Sequence, residues 1–220
     1  MNQQNTMVLK SNQISVKNKY EKEYSEIWKD APDMLDCKKN DFDYIDQLYS
    51  NSFLFVGINP AIDKKEKEKQ DGNIQTHPFY QAIINFSTDC GIDPHSVLDI
   101  FAIRCTNLSE VKSAIKDDKF KRFCIKQFEL FKKIIQDAKP RAIIVINAYA
   151  REWMTNKSFN EKAFETNFDE ELGTLRIVND ELDGVPIFIS GMLSGRHAMD
   201  IGSRERLAWQ IKRAIKMKLI

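Results

Sequence analysis

Residues 53–58 read Phe-Leu-Phe-Val-Gly-Ile, and Asn59-Pro60 follows at once. A short, unbroken apolar run of this kind is typical of a strand that is buried on both faces, and proline ends its ladder of backbone hydrogen bonds. Strands covered on both faces belong mainly to parallel sheets, because the helices that connect parallel strands pack on the two faces of the sheet. The segment therefore predicts an α/β protein.

Comparable apolar runs recur along the chain and alternate with amphipathic segments. Further buried strands are predicted at residues 97–103, 142–146 and 185–189, with a short β segment at residues 175–178. Helices are predicted at residues 18–29, 78–87, 148–154 and 204–219, with a long one from Phe120 to just before Pro140 and a short one around Phe42, Ile45 and Leu48. This order predicts a three-layer α/β/α sandwich around a central, mostly parallel, four-stranded sheet.

The composition is that of an ordinary globular domain, with 220 residues and 33 basic against 32 acidic side chains. The formal charge of +1 argues against a nucleic-acid binder that works through overall positive charge, although it leaves room for an enzyme with one basic face. Residues 1–17 are polar and predict a flexible N-terminal arm, and residues 18–220 predict a single domain.

Two sequence features bear on location. No apolar run approaches the roughly 18–20 residues that cross a bilayer. The N-terminus also lacks the basic start and the apolar stretch of a secretory signal. We therefore expect a cytoplasmic protein of bacterial type that is a monomer and has no membrane partner.

Cysteine and histidine are too scattered to suggest a metal site. The 4 cysteines form no C-x-x-C pair, and this spacing is typical of buried, reduced thiols rather than of zinc ligands or disulfides. The 3 histidines are isolated from one another. The sequence therefore predicts neither a bound metal nor another cofactor.

Ligand sites of parallel sheets form in the loops beyond the carboxyl ends of the strands. The first such loop here is Gly57-Ile58-Asn59-Pro60, with His77-Pro78 downstream of it, and the second contains Arg104. The third loop, residues 190–197, reads Ser-Gly-Met-Leu-Ser-Gly-Arg-His. We expect the loops to meet at one crevice, although they follow different strands.

The first loop carries a resemblance to a known family. Phe55-Val-Gly-Ile-Asn-Pro60 is similar to the first motif of the uracil-DNA glycosylase superfamily, in the G-I-N-P-G version of the mismatch-specific and thymine-DNA glycosylases. Ala61 stands where the last glycine of that motif would be. His77-Pro78, followed by Phe79 and Tyr80, is similar to the family's H-P segment, which opens a helix beside the base pocket.

Later segments extend the resemblance, which covers about residues 53–218. Residues 139–150 are similar to a family segment that runs K-P-x-x, strand, G-x-x-A, with Asn147 in the glycine position. The third loop lies where the family has its second motif, H-P-S-P or N-P-S-G, which inserts into the duplex. One register places His197 on the family's histidine. The preferred register uses Ser194-Gly195-Arg196, with Arg196 as the wedge and His197 as a loop residue near phosphate.

The resemblance implies a metal-independent, monofunctional DNA glycosylase that acts in base-excision repair. Such an enzyme hydrolyses the N-glycosidic bond of a flipped, damaged, mismatched or modified pyrimidine of the uracil type in DNA. Asn59 is then the catalytic residue that orients the attacking water. The implied base-binding residues are Gly57, Ile58, Pro60, His77, Phe79, Tyr80, Phe86, Asp99 and Asn147. The implied DNA-binding residues are Arg104, Ser194, Gly195, Arg196 and His197.

Several of these residues also admit a purely structural interpretation. Phe79 and Phe86 occupy one helical face, so each either packs in the core or stacks on a base. Asp99 lies in an apolar segment, where a carboxylate needs a partner, and it either reads an exocyclic group or pairs with Arg104. Asn147 at a strand end is either a helix cap or a base reader.

Two further questions stay open at this level. The last predicted helix is rich in basic residues, which form either a face for the DNA backbone or only the solvent side of an amphipathic helix: Arg204, Arg206, Lys212, Arg213, Lys216 and Lys218. The alternative function is a non-catalytic module that uses the same fold to bind nucleic acid or a nucleotide. A pure protein-interaction domain is a third possibility, and it predicts no salt-dependent DNA binding.

Overall fold

The computed structural model describes residues 12–37, 42, 47–59, 78–105, 107–195 and 198–220. Its helices are α1 Val16–Trp28, α2 Pro78–Cys90, α3 Leu108–Ala114, α4 Asp118–Ala138, α5 Ala148–Thr155 and α6 Ile201–Lys216, with a short 3-10 turn at Met34–Asp36. Its strands are β1 Gln13–Ser15, β2 Gln47–Tyr49, β3 Phe53–Gly57, β4 His95–Asp99, β5 Ala142–Val145, β6 Glu165–Asp169, β7 Thr174–Val178 and β8 Pro186–Ile189.

The central sheet has the strand order β4-β3-β5-β8-β7-β6. Strands β4, β3, β5 and β8 are parallel to one another, whereas β7 is antiparallel to both β8 and β6. The predicted α/β class is therefore confirmed, but the sheet has 6 strands rather than the four that the sequence predicted. The additional strands are the hairpin β6–β7, of which only a short β segment was predicted.

Side chains of each parallel strand alternate between two apolar cores, one on each face of the sheet. In β3, Leu54 and Val56 point into a core that also holds side chains of α1, α3, α4 and α5. Phe53 and Phe55 point into the other core, which holds side chains of α2 and α6. This arrangement is the three-layer α/β/α sandwich, with helices on both faces of the sheet.

Polar side chains cap most of the helices by accepting a hydrogen bond from a backbone N–H of the first turn. These caps are Ser15, Asn107, Asp117, Asn147 and Asp200. The last helix therefore begins at Ile201 behind Asp200, three residues earlier than predicted. The long helix α4 ends before Pro140 as predicted, with Lys139 in the left-handed region at φ 48°.

The strand β4 is shorter than predicted and starts earlier in the chain. Residues 100–103 are apolar and buried, but they leave the sheet after Asp99. Their backbone N–H groups find other acceptors: Ile100 donates to the carbonyl of Gly57 at 3.2 Å, and Ala102 donates to Oε1 of the buried Gln127 at 2.9 Å. The apolar run therefore continues into a buried loop rather than into more strand.

The folded part of the chain begins within residues 1–17, which the sequence predicted to be a flexible arm. Residues 1–11 lie outside the described residues, but Gln13–Ser15 pairs with Gln47–Tyr49 in a small antiparallel sheet, and Val16 is fully buried. Leu48, predicted to lie in a short helix with Phe42 and Ile45, instead lies in β2, while Ile45 is outside the described residues. No helix of the described residues is both long and apolar enough to cross a membrane.

Candidate functional site

A cleft of about 300 Å³ opens at the carboxyl ends of the parallel strands. Strand β3 ends at Gly57 and β4 at Asp99, while β5 and β8 lead into loops that supply further walls. Residues predicted from the sequence that line this cleft are Gly57, Ile58, Asn59, Phe79, Tyr80, Asp99, Asn147, Ser194 and Gly195. The fold thus brings together loops that are far apart in the chain.

Asn59 is held in place by the second loop. Its side chain is 9% exposed, and its Nδ2 donates a hydrogen bond of 2.6 Å to the backbone carbonyl of Cys105. A side-chain amide is planar, so one strong hydrogen bond from the nitrogen also fixes the direction of the carbonyl oxygen. The amide of Asn59 is therefore pre-oriented at the wall of the cleft.

Asp99 lies beside Gly57 in the register of β3 and β4. A Cβ atom placed on Gly57 would lie only 2.1 Å from Oδ1 of Asp99, closer than any real contact of such atoms. Glycine at this position therefore lets the carboxylate extend across the end of β3 into the cleft. The shift of β4 places Asp99 at the end of the strand rather than within an apolar run, and its side chain is half-buried.

An aromatic wall is supplied by the first turn of α2. The rings of Phe79 and Tyr80 lie edge to face, 5.1 Å apart, and Phe79 is the more exposed of the two. Phe86 lies farther along the same helix and does not line this cleft. It is fully buried and packs edge-on against Phe55 at 6.2 Å, so its role in the fold is core packing.

Asn147 is the N-cap of α5. Its Oδ1 accepts hydrogen bonds from the backbone N–H groups of Tyr149 and Ala150, at 2.8 and 3.3 Å. The helix-cap interpretation is thus what the structure shows, while the side chain still borders the cleft. Because the oxygen is occupied by the helix, Nδ2 is the group of Asn147 that remains for a ligand.

The third loop folds back on itself before α6. The backbone N–H of Met199 donates to the carbonyl of Met192 at 2.8 Å, and that of Ala198 donates to Gly195 at 3.1 Å. Gly195 has φ +87°, a conformation that side-chain-bearing residues rarely adopt, so the turn requires glycine. Ser194 and Gly195 are in this way positioned on the rim of the cleft.

Sequence reasoning missed the apolar part of the lining, which consists of Pro78, Cys105, Leu108, Ile146 and Met192. Burial raises the pKa of the Cys105 thiol above its ordinary value. Its Sγ donates to the carbonyl of Asn107 at 3.3 Å, so it forms a neutral wall rather than a nucleophile. The position of Cys105 next to Arg104 in the second loop was the signal that could have identified it.

The remaining predicted residues are not part of the described lining of the cleft. Arg104 is half-buried in the second loop but does not line the cleft. Pro60, His77, Arg196 and His197 are outside the described residues, so their roles stay predictions. Within the described part of the chain, no three side chains of His, Cys, Asp or Glu come together in a way that could hold a metal ion.

Comparison with known proteins identifies no family for this chain. No protein-family model matches the chain, and no curated protein matches it. The cleft therefore has to be interpreted through its own groups: an oriented amide, a carboxylate over a glycine, an aromatic ring and a second amide that can donate. Together they suit a small planar ligand with polar edges.

Proposed function

We propose that the protein is a monofunctional DNA glycosylase of the uracil-DNA glycosylase type. It hydrolyses the N-glycosidic bond of a flipped, damaged, mismatched or modified pyrimidine in DNA. The observation that carries the proposal is the convergence of Asn59, Phe79 and Ser194-Gly195 on one cleft. The family resemblance gives these segments the separate tasks of holding water, base and phosphate, and those tasks have to be performed side by side.

The size and the walls of the cleft suit a single base. A volume of about 300 Å³ is near the lower end for small-molecule sites. A base in duplex DNA has to leave the stack before its sugar can be attacked, and it then needs an aromatic or apolar surface to replace the lost stacking. Phe79 supplies such a surface at the mouth of the cleft.

The polar groups of the cleft match the edge of a pyrimidine. Asp99 is an acceptor and Nδ2 of Asn147 is a donor, while pyrimidine edges carry both N–H donors and carbonyl or ring-nitrogen acceptors. A donor such as Nδ2 also stabilises negative charge that develops on the departing base. Both side chains therefore bind the base, and Nδ2 of Asn147 assists its departure.

Bond cleavage requires little more than an oriented water. The bond between C1′ and the base nitrogen breaks with its electron pair staying on the base, and the sugar acquires oxocarbenium character. The water oxygen then bonds to C1′ and loses a proton to solvent, while the base anion takes up a proton. Asn59 cannot accept that proton at neutral pH, so it acts by holding the water through its carbonyl oxygen. Turnover is slow compared with that of an enzyme that uses a carboxylate here.

DNA is held by the rim of the cleft. Backbone N–H groups and small side chains such as those of Ser194 and Gly195 are suited to phosphate contacts, which position the strand without reading its sequence. Arg196 enters the gap left by the flipped base, with His197 near a phosphate. We place this activity in the cytoplasm, on nucleoid DNA, with the protein acting as a monomer.

The proposed reaction has no covalent step. Glycosylases that also cleave the strand need an amine to form a Schiff base with the sugar. Among the described residues that line the cleft there is no lysine. The proposed product is an abasic site in an intact strand.

Base release from defined oligonucleotides tests the proposal. Duplex and single-stranded oligonucleotides that carry uracil, mismatched thymine or modified cytosine are incubated with the protein and then treated with alkali, which cleaves at abasic sites. We expect cleavage of at least one substrate. A matched control is Asn156→Ala, because Asn156 follows α5 and does not border the cleft.

The outcomes separate the proposal from its rival. The wild-type protein and Asn156→Ala should release base, and Asn59→Ala should do so at least about a hundredfold more slowly. No cleavage of any substrate by the wild-type protein contradicts the proposal. Tight binding without base release, unchanged in Asn59→Ala, identifies the non-catalytic binding module instead.

A further inference from the structure

Helix α6 exposes a large aromatic side chain on its solvent side. Trp209 is 63% exposed and Ile201 is 78% exposed, whereas Leu207, Ile211 and Ala214 on the opposite side are buried in the core. Tryptophan is among the more buried residue types on average, because its ring is large and mostly apolar. The packing of the fold does not require an indole at this exposed position.

The surroundings of Trp209 are basic. Residues three, four or seven positions away lie on the same face of a helix. Around Trp209 these positions hold four basic residues and one acidic one, namely Arg206, Lys212, Arg213, Lys216 and Glu205. The solvent side of α6 therefore combines an indole with an excess of positive charge, and we call this set of six residues the α6 face.

Arg206 contributes to lowering the pKa of Asp200, whereas the other positive charges of the α6 face have no acidic partner among the described residues. Among the residues that the structure describes, no carboxylate oxygen lies within 4.0 Å of the side-chain nitrogens of Lys212, Arg213 or Lys216. The guanidinium of Arg213 instead lies over the indole of Trp209, with Cζ 5.6 Å from the ring centroid. Arg206 donates a hydrogen bond of 2.8 Å to the hydroxyl of Ser203.

Helix stability explains only part of this pattern. Arg213 and Lys216 lie in the last turn of α6, where positive charge stabilises the helix dipole. Arg206 and Lys212 lie outside the last turn, and the dipole does not account for them. The exposed indole has no role in helix stability either, so the α6 face points to a ligand.

We propose that the α6 face is a second contact for single-stranded nucleic acid. An unpaired base stacks on the indole of Trp209 and its Arg213 neighbour, and Lys212 and Lys216 contact flanking phosphates. Stacking on an aromatic ring beside cationic side chains is the usual way in which proteins bind strands without reading their sequence. This inference rests on the proposed function only for the choice of DNA as the polymer.

The α6 face is placed to hold a strand that leaves the cleft. Helix α6 starts directly after the third loop, whose Ser194 and Gly195 form the rim of the cleft. Trp209 is eight residues along the helix from Ile201, which corresponds to about 12 Å at 1.5 Å per residue. The inference therefore takes the strand from the rim of the cleft past the start of α6 to Trp209.

A membrane surface fits the α6 face less well. Helices that lie on membranes bury a broad apolar face, flanked by basic residues. The exposed side of α6 carries Ile201 and Trp209 as its large apolar residues, with charged residues between them. The balance of charge over apolar area favours a polyanion in water.

Binding of a labelled single-stranded oligodeoxyadenylate, followed by fluorescence anisotropy, tests the inference. The probe contains no pyrimidine and so no base for the proposed reaction. Trp209→Ala should weaken binding about tenfold, the size expected for the loss of one stacked base, whereas Trp209→Phe should retain most of the affinity. Because Trp209 is exposed, both variants should unfold at the wild-type temperature.

The charge contribution is tested by the dependence of binding on salt. The double substitution Lys212→Gln with Lys216→Gln should lower the slope of log K against log salt by about 1.4, since each phosphate contact on single strands adds about 0.7. The matched control is Lys126→Gln with Lys133→Gln on α4. Those lysines already pair with Asp30 and Glu23, at 2.7 and 3.0 Å, and their loss should leave the slope unchanged.

Each contrary result has a distinct meaning. Wild-type affinity in Trp209→Ala, equal slopes in the two double variants, or no binding of the probe by the wild-type protein overturns the inference. Trp209-dependent binding to phosphatidylserine vesicles without binding to the oligonucleotide also overturns it. If Trp209-dependent binding persists, also in Asn59→Ala, while no substrate loses its base, the proposed function fails and the inference stands.

Discussion

The central sheet differs between the side where its parallel strands begin, which we call the amino edge, and the side where they stop, which we call the carboxyl edge. At the amino edge, the hydroxyls of Ser52 and Ser96 are buried and share a hydrogen bond of 2.9 Å. At the carboxyl edge, the same two strands end at Gly57 and Asp99, where a cleft of about 300 Å³ opens. One edge is closed by polar groups that bond to each other, whereas at the other edge polar groups border a space.

The difference shows how one sheet separates stability from function. Closed polar pairs at the amino edge contribute to the free energy of unfolding and leave nothing for a ligand to contact. At the carboxyl edge the polar side chains stand on loops that follow different strands, so they face one another across the cleft. Substitutions at the amino edge should therefore lower stability, and substitutions at the carboxyl edge should lower activity.

The largest expected effect is on stability, at the amino edge. Phe53 is 3% exposed, and the guanidinium carbon of Arg141 lies 5.4 Å from its ring centroid. Phe53→Ala should lower the free energy of unfolding by about 3–5 kcal/mol, as measured by urea denaturation. Base release per folded molecule should be unchanged, because Phe53 lies about 13 Å along β3 from Gly57. A loss of activity beyond the unfolded fraction would remove the distinction between the edges.

A matched pair of polar substitutions gives the next effect. Asn59→Ala at the carboxyl edge should slow base release about a hundredfold or more, equivalent to roughly 2.7 kcal/mol in the barrier. Ser52→Ala at the amino edge should lower the free energy of unfolding by about 1 kcal/mol and leave the rate unchanged. Single-turnover rates and urea denaturation of both variants measure the contrast, and equal rates in the two variants would contradict it.

The contact between Gly57 and Asp99 allows a double-mutant cycle. Gly57→Ala forces the Asp99 carboxylate to move, because the new Cβ would lie 2.1 Å from Oδ1, and base release should fall about tenfold. In an Asp99→Ala background the same substitution meets no such atom and should have little further effect. If the loss of activity in the double variant equals the sum of the losses in the two single variants, the Asp99 carboxylate is not the group that Gly57 accommodates.

The smallest expected effect is a pH dependence of the free energy of unfolding, caused by His95 at the amino edge. Burial lowers the pKa of His95, which starts β4 and packs edge-on against Phe55. In the unfolded chain its pKa is about 6.5, so below that pH the unfolded state binds a proton that the folded state does not. Stability should therefore fall as the pH drops from 7 to about 5.5, by at most about 1.4 kcal/mol per pH unit.

The control for this effect is His95→Gln. The variant should lack this part of the pH dependence in urea denaturation. The pH profile of base release should be the same in both proteins, because His95 lies at the end of β4 that is remote from the cleft. An altered activity profile in His95→Gln would show that the two edges are coupled.

The sequence predicted the buried parallel strands well, because β3, β5 and β8 are unbroken apolar runs. It overextended β4, since residues 100–103 are equally apolar but form a buried loop whose N–H groups bond to Gly57 and Gln127. It missed β6, whose residues Glu165–Asp169 are mostly polar and exposed as an edge strand. Apolar patterning reports burial, and it identifies strands only where burial and sheet pairing coincide.

The site was predictable to the extent that it follows strand ends. Asn59 and Asn147 were accessible to sequence reasoning because polar residues after apolar runs are conspicuous, and Asp99 was accessible because it interrupts such a run. Leu108 was not, because an apolar residue at the start of a helix gives no sign of the wall to which it will contribute. The contact between the Asn59 amide and the Cys105 carbonyl depends on tertiary structure that no local pattern encodes.

The central claim is that the carboxyl-edge cleft releases a pyrimidine base by hydrolysis, and detection of the free base tests it most directly. Wild-type protein and Asn59→Ala are incubated with an oligonucleotide that carries uracil or another modified pyrimidine, and the small-molecule fraction is analysed by mass spectrometry. The account predicts free base from the wild-type protein, an intact sugar–phosphate strand, and about a hundredfold less base from Asn59→Ala. Bound oligonucleotide with no free base, or equal release from both proteins, would contradict it.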